Sequence, residues 1–139
     1  MRSVNGVLSF RCVCSHCLAY DEMGADLVES LLAEDENSCS IHSLNFCEFY
    51  YQVQRRFSKY DASKLVDEIV EMGLNVRDDM DFEFWQFAGD LKATHKRISL
   101  ADCYAVALTS RLKAELVTSD HHELDTLADQ GICKILFFR

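Results

Sequence analysis

Residues 98–108, I-S-L-A-D-C-Y-A-V-A-L, followed closely by residues 115–120, E-L-V-T-S-D, decide how this chain is read. In the first stretch Leu100, Ala105, Val106 and Leu108 give one side of a helix an apolar face, and Ser99 supplies a hydroxyl where a helix needs its first amides capped. The second stretch is a short β-like run ending in a hydroxyl, a serine and an acid. A helix feeding a short strand is half of a parallel α/β unit, and the same alternation runs through the rest of the chain.

Working outward, residues 7–10 are the first apolar run. Residues 25–32 have helical spacing after Gly24, and residues 34–38 read as a polar loop. Residues 39–43 read as a strand and residues 44–57 as a helix that Ser43 or Asn45 can start. Residues 62–72 follow as a helix stopped by Gly73, whose freedom at positive φ suits a helix terminus. Residues 74–77 form a short strand. The acids Asp78, Asp79 and Asp81 suit the first turn of a helix running to about His95, where negative charge meets the helix dipole favourably. After the decisive stretch come a helix over residues 120–128 and a last strand over residues 132–138.

At 139 residues with a net charge of −9 the chain fits one soluble domain, residues 1–139. Its start is too polar and too short for a signal peptide, and no apolar run approaches the roughly 20 residues of a membrane helix, so the expected location is the cytoplasm. Seven cysteines, an odd number scattered through periodic segments, point to reduced thiols rather than disulfides. Cys47 and Cys103 are expected as small core residues. The Cys12, Cys14, Cys17 cluster with His16 lacks a second pair at zinc-site spacing, and Cys39 alone does not close one. The negative charge argues against an open phosphate-tracking surface. Local cations at Arg55, Arg56, Lys59 and at Lys92, Lys96, Arg97 remain available to hold a phosphate backbone.

Three acids stand out: Glu48 in L-N-F-C-E-F-Y-Y, Asp102, and Asp120 in L-V-T-S-D. Each has a structural explanation when taken singly. Asp102 completes a capping box with Ser99, Asp120 with Glu123 makes a similar start, and Glu48 is a partly exposed helix residue. Each also lies near the carboxyl end of an expected strand, where open parallel sheets gather their reactive groups, and Glu48 and Asp102 sit beside apolar faces that make an unmatched charge costly. His95, His121 and His122 read as polar residues at helix ends.

In order and spacing these three acids resemble the PIN-domain metal-dependent nucleases, in particular the VapC-type toxins of bacterial toxin–antitoxin pairs, over residues 21–139. The resemblance implies a three-layer α/β/α fold around a central parallel sheet. It implies Mg²⁺ or Mn²⁺ bound by Asp102 and Asp120 with Glu48 completing the cluster, and Thr118 as a supporting hydroxyl. Hydrolysis of RNA phosphodiesters, a cognate antitoxin as partner and a homodimer are implied as well. A hard divalent ion prefers oxygen ligands, and such a site needs no side-chain nucleophile.

One position departs from the family. Counting back from Glu22, Gly24 and Ala25, Arg11 stands where an aspartate ends the opening strand, and residues 1–20 are atypical throughout. A guanidinium there would pair with the carboxylates and compete with the cation. If residues 10–19 are encoded as TTT CGA TGC GTC TGC TCT CAT TGC CTT GCT T, reading one base later gives Phe-Asp-Ala-Ser-Ala-Leu-Ile-Ala-Leu-Leu, the family's opening motif. Two main readings stay open: an active endoribonuclease toxin, and a disabled PIN fold that binds an antitoxin without cutting. A third, an unrelated phosphoryl-transfer or small-ligand domain, ranks below them because no glycine-rich phosphate loop is present.

Overall fold

The computed structural model describes residues 6–10, 37–118, 124–132 and 134–137, and the structural statements below concern these. Five strands form one sheet: β1 (Gly6–Phe10), β2 (Asn37–His42), β3 (Asn75–Arg77), β4 (Glu115–Thr118) and β5 (Lys134–Phe137), in the order β3-β2-β1-β4-β5. Every pairing is parallel. The register sets Phe10 of β1 opposite both Ile41 and Val117, His42 opposite Arg77, and Thr118 opposite Phe137, so all five strands finish on one edge.

The helices are α1 (Ser43–Arg56), α2 (Lys59–Glu71), α3 (Phe82–Thr94), α4 (Leu100–Leu112) and the short α5 (Asp125–Asp129). Right-handed crossovers place α1 and α2, which lead from β2 to β3, on one face of the sheet, and α3 and α4, which lead back across to β4, on the other. This is the expected three-layer arrangement. Strands buried between two helical layers must be apolar, and Ile41, Leu116 and Val117 are fully shielded from solvent. A core cluster among the described residues joins α3 and α4 through Phe84, Ala88, Leu91, Cys103, Val106 and Leu108, with Leu124 and Leu127 closing it from the far end of the chain.

Several boundaries differ from the sequence reading, each for a local reason. Asn37 and Ser38, expected in a polar loop, extend β2 because they pair with Gly6 and Val7; ladder pairing outweighs polar composition there. The first turn of α1 is capped by neither Ser43 nor Asn45. His42 is the N-cap, and its Nδ1 accepts from the Leu44 amide at 3.1 Å. Helix α2 starts at Lys59, earlier than expected, because Ser58 caps it by accepting from the Asp61 amide. Helix α3 starts later than expected, at Phe82, and Asp79 and Asp81 are held by arginines instead of sitting inside its first turn. Cys103 is buried as expected, whereas Cys47 is exposed on α1. The expected last strand begins at Lys134, and Ile132 instead packs against the core as part of the preceding turn. The helix expected over residues 25–32 lies outside the described residues.

Candidate functional site

Parallel strand order fixes where a site can form. The connection leaving β1 runs toward β2, and the one leaving β4 runs toward β5, so the chain changes direction between β1 and β4. In open α/β sheets the crevice at such a switch point, outside the carboxyl ends of the strands, is where ligands are held. Phe10 ends β1 and Thr118 ends β4 at this crevice, and α4, which feeds β4, begins on the same edge.

Asp102 lies in the first turn of α4, and its amide donates to the Ser99 hydroxyl at 3.1 Å, so the capping expectation holds for the backbone. Its side chain is nearly inaccessible, at 4% relative exposure. A carboxylate so placed is favoured by the positive end of its own helix. Helix α1 also begins at this edge, directly after β2, and carries Glu48, half-buried, in its second turn. The two helices are tied together by Asn45, whose Nδ2 donates to the Ala101 carbonyl at 3.0 Å. Glu48 lies one turn beyond Asn45 and Asp102 immediately follows Ala101, so two of the three expected acids flank a single buried contact.

Asn45 was not anticipated as a site residue, although an amide beside the buried Phe46, Phe49 and Val53 is a usable signal in the sequence. It is fully buried, and its Oδ1 has no hydrogen-bond partner among the described residues. An orphaned buried acceptor is costly unless a donor or a cation meets it. The set of Asp102 and Glu48 carboxylates with an amide oxygen is made of oxygens only, which fits a hard divalent cation and not a soft one. Among the described residues no group of three or more acidic, histidine or cysteine side chains is gathered for a metal. Asp120, Arg11, the Cys12–Cys14–Cys17 cluster, His121 and His122 lie outside those residues, as does the Thr118 side chain, though the Thr118 backbone closes β4.

A second polar constellation borders this edge. His42, buried at the end of β2, stacks on Phe84 and meets Tyr104 edge-on, with its Nε2 2.8 Å from the Asp79 carbonyl. Since Nδ1 accepts from Leu44, Nε2 carries the proton and donates to Asp79. The Asp79 carboxylate accepts from Arg77 at 2.8 and 3.0 Å and from Arg111 at 3.0 Å, and Arg111 makes a two-pronged pair with Asp81. Hydrogen bonds from Arg77, and then from Arg111, hold the Asp79 carboxyl down at about 2 against the opposing effect of burial. These acids serve structure: both are satisfied by arginines and bolt the β3–α3 loop to α4. The shallow pocket lined by Phe84, Phe87, Ser110 and Arg111 lies toward the other end of α4, where Arg111 is about 13 Å along the helix from Asp102.

Of the expected backbone-holding cations, Lys92 is already used, because its Nζ donates to the carbonyls of Lys96 and Ile98. Lys59, Arg55 and Arg56 are exposed around the turn between α1 and α2. No helix of the described residues is long and apolar enough to cross a membrane.

A family model described as PIN domain matches residues 12–129, beginning one position after Arg11. No curated protein matches the chain. The fold is similar to that of VapBC2 from Rickettsia felis, solved bound to a DNA fragment from its promoter, with a TM-score of 0.75, 17% identity, and coverage of 96% of this chain and 99% of that one. It is similar to VapC20 of Mycobacterium tuberculosis, a toxin that cleaves the sarcin-ricin loop (TM-score 0.70, 11% identity, 86% and 94% covered). VapBC-1 from nontypeable Haemophilus influenzae gives a TM-score of 0.72 at 14% identity, with 95% and 98% covered. At such identities the likeness is one of fold.

Proposed function

The chain belongs to the PIN domain family, and from that premise we propose that it is a Mg²⁺- or Mn²⁺-dependent endoribonuclease, the toxin of a type II toxin–antitoxin pair. The observation that carries this reading is the buried Asp102 carboxylate at the mouth of the β1/β4 crevice, joined through Asn45 to the helix that bears Glu48. Asp102, Asp120 and Glu48 would hold the ion, with Thr118 beside them. Bound there, the ion supplies Lewis-acid neutralisation of phosphate charge and activation of the attacking water.

The chain's own residues do the rest. The amino termini of α1 and α4 turn their partial positive charge toward the crevice, which favours an anionic phosphodiester there. Asn45 fixes the separation of the two helices, so Glu48 and Asp102 are held in place before substrate arrives. No hydroxyl or thiol need attack phosphorus. Water displaces the leaving sugar oxygen, the new P–O bond forming as the old one breaks; the attacking water loses its proton to solvent, and the departing sugar oxygen takes one up from solvent.

Antitoxin complexes among proteins of the same fold support a cognate antitoxin as partner, and homodimerisation in the cytoplasm completes the proposal. The decisive test is cleavage of RNA with Mg²⁺ or Mn²⁺ by the chain and by Asp102→Asn. Loss of cleavage in the variant, together with loss of a metal-induced rise in melting temperature, supports the assignment; cleavage that survives Asp102→Asn refutes it. A second reading is favoured by Arg11 and by a family match that begins just after it: a PIN fold that binds an antitoxin but does not cut. Antitoxin binding without cleavage at any Mn²⁺ concentration would select that reading.

A further inference from the structure

We propose that the face of α1 bearing Tyr51 and Arg55, continued by Phe57, Lys59 and Tyr60 at the turn into α2, is a track for single-stranded RNA leading away from the carboxylates. The inference rests on the ribonuclease reading above and names the surface that holds its substrate. The chain carries −9 overall, yet residues 51–64 hold Arg55, Arg56, Lys59 and Lys64 against the single acid Asp61. An acidic body repels phosphates nearly everywhere, so a local positive stretch is where a nucleic acid can approach.

The aromatic side chains supply the second half. Tyr51 is 39% exposed, Phe57 52% and Tyr60 74%, three large rings within ten residues that the fold leaves in water. The Arg55 guanidinium lies 5.0 Å from the centre of the Tyr51 ring, a cation–π arrangement that sets ring and charge side by side. Exposed rings beside exposed cations are what single-stranded nucleic acid requires, bases stacking on the rings and phosphates meeting the cations. Among the described residues Arg77 and Arg111 are committed to Asp79 and Asp81, and Lys92 to backbone carbonyls. Among the described residues neither Arg55 nor Lys59 is paired with a carboxylate. Lys96 and Arg97, the remaining exposed pair, have no exposed ring within ten positions on either side apart from Phe87.

Position supplies the third argument. Glu48, Tyr51 and Arg55 are spaced three and then four residues apart, so they lie on one face of α1 and rise about 10 Å along it. That distance is about three stacked nucleotides at roughly 3.4 Å each. A strand whose scissile phosphate sits at Asp102 and Glu48 therefore reaches the rings without bending away. Stacking accepts any base, so this track selects unpaired RNA over duplex and does not read sequence.

The test is binding of a fluorescently labelled, unstructured RNA oligonucleotide to the full chain in EDTA, read by anisotropy so that cleavage plays no part. Tyr51→Ala with Tyr60→Ala is expected to weaken binding by about 5- to 150-fold per stacked base. Arg55→Gln with Lys59→Gln is expected to reduce the slope of log K against log salt by about 1.4, two contacts at roughly 0.7 each. All four side chains are exposed, and circular dichroism establishes that each variant is folded. Unchanged RNA affinity in both variants overturns the proposal, as does equal binding of duplex RNA. A variant that keeps RNA binding but changes its sedimentation as an oligomer also overturns it, making this face a contact between copies of the chain. If the chain binds RNA through these residues but cuts nothing when Mg²⁺ is added, the track stands and the ribonuclease reading fails.

Discussion

Asn45 Nδ2 donates to the Ala101 carbonyl across 3.0 Å, and this one bond locks the first turn of α1 to the first turn of α4. The two helices approach the sheet from different layers, and the bond spans them where both begin. Asn45→Ala removes a buried donor and leaves a small void, and is expected to cost about 1–3 kcal/mol in urea unfolding. If the Oδ1 faces a cation, Asn45→Asp will be destabilising in EDTA, where a second buried charge is unmatched, and largely rescued by Mn²⁺. Equal destabilisation with and without Mn²⁺ would remove Asn45 from the metal site and leave it a purely structural tie.

The arginine pair around Asp79 predicts how the fold responds to acid. The Asp79 carboxyl is held at about 2, first by hydrogen bonds from Arg77 and then from Arg111. A group whose folded value is depressed adds stability above its unfolded value near 3.9 and loses it as pH falls toward the folded one. The chain should therefore lose stability between about pH 5 and pH 2, and Asp79→Asn should flatten that part of the curve. Both arginines are partly open to solvent, so the effect is on the order of 1–2 kcal/mol and shrinks at high salt. Identical slopes for the chain and Asp79→Asn would show that the loop is held by other contacts.

Lys113 closes α4 with φ at 52°, left-handed backbone that a side chain with a Cβ adopts at a cost. Gly73 and Gly131, the other positive-φ residues among those described, have no such cost. Lys113 is exposed, so Lys113→Gly is expected to stabilise the chain by about 0.5–1 kcal/mol and to raise the melting temperature by a few degrees. A lower melting temperature would mean that the Lys113 side chain makes a contact worth more than the strain it imposes.

How far the sequence revealed this molecule differs from element to element. Apolar periodicity fixed α1 to within a residue, because long amphipathic helices carry many independent signals. The helix starts were harder. Ser58, a good cap, went unread because the apolar spacing only begins at Ala62, and His42 is a cap type that propensity does not favour. Asn37 and Ser38 look like loop until their pairing with β1 is known. Asp79 and Asp81 read as dipole-favouring acids, while their real partner, Arg111, is about thirty positions away and invisible to any local rule. Of the site, Asp102 and Glu48 could be placed at a sheet edge from spacing alone. The contact that joins them is long-range and became visible only in three dimensions.

Arg11 is where sequence and site are in tension, and one substitution addresses it. β1 ends at Phe10, and the resemblance to the family implies an aspartate at the next position, where this chain has Arg11. A guanidinium at a carboxylate site is a permanent competitor for the place of a divalent ion, because arginine does not lose its proton at any physiological pH. Arg11→Asp reverses that charge and should raise Mn²⁺ affinity, seen as a larger metal-induced rise in melting temperature, and turn on or increase RNA cleavage. A version with residues 10–19 replaced by Phe-Asp-Ala-Ser-Ala-Leu-Ile-Ala-Leu-Leu should do the same and melt higher without metal, since leucine and isoleucine then replace the polar Ser15 and His16. Gene sequence across these codons that cannot yield Asp one base later would reject a shifted frame. Arg11→Asp would then decide alone between a nuclease silenced by one charge and a fold kept only for binding.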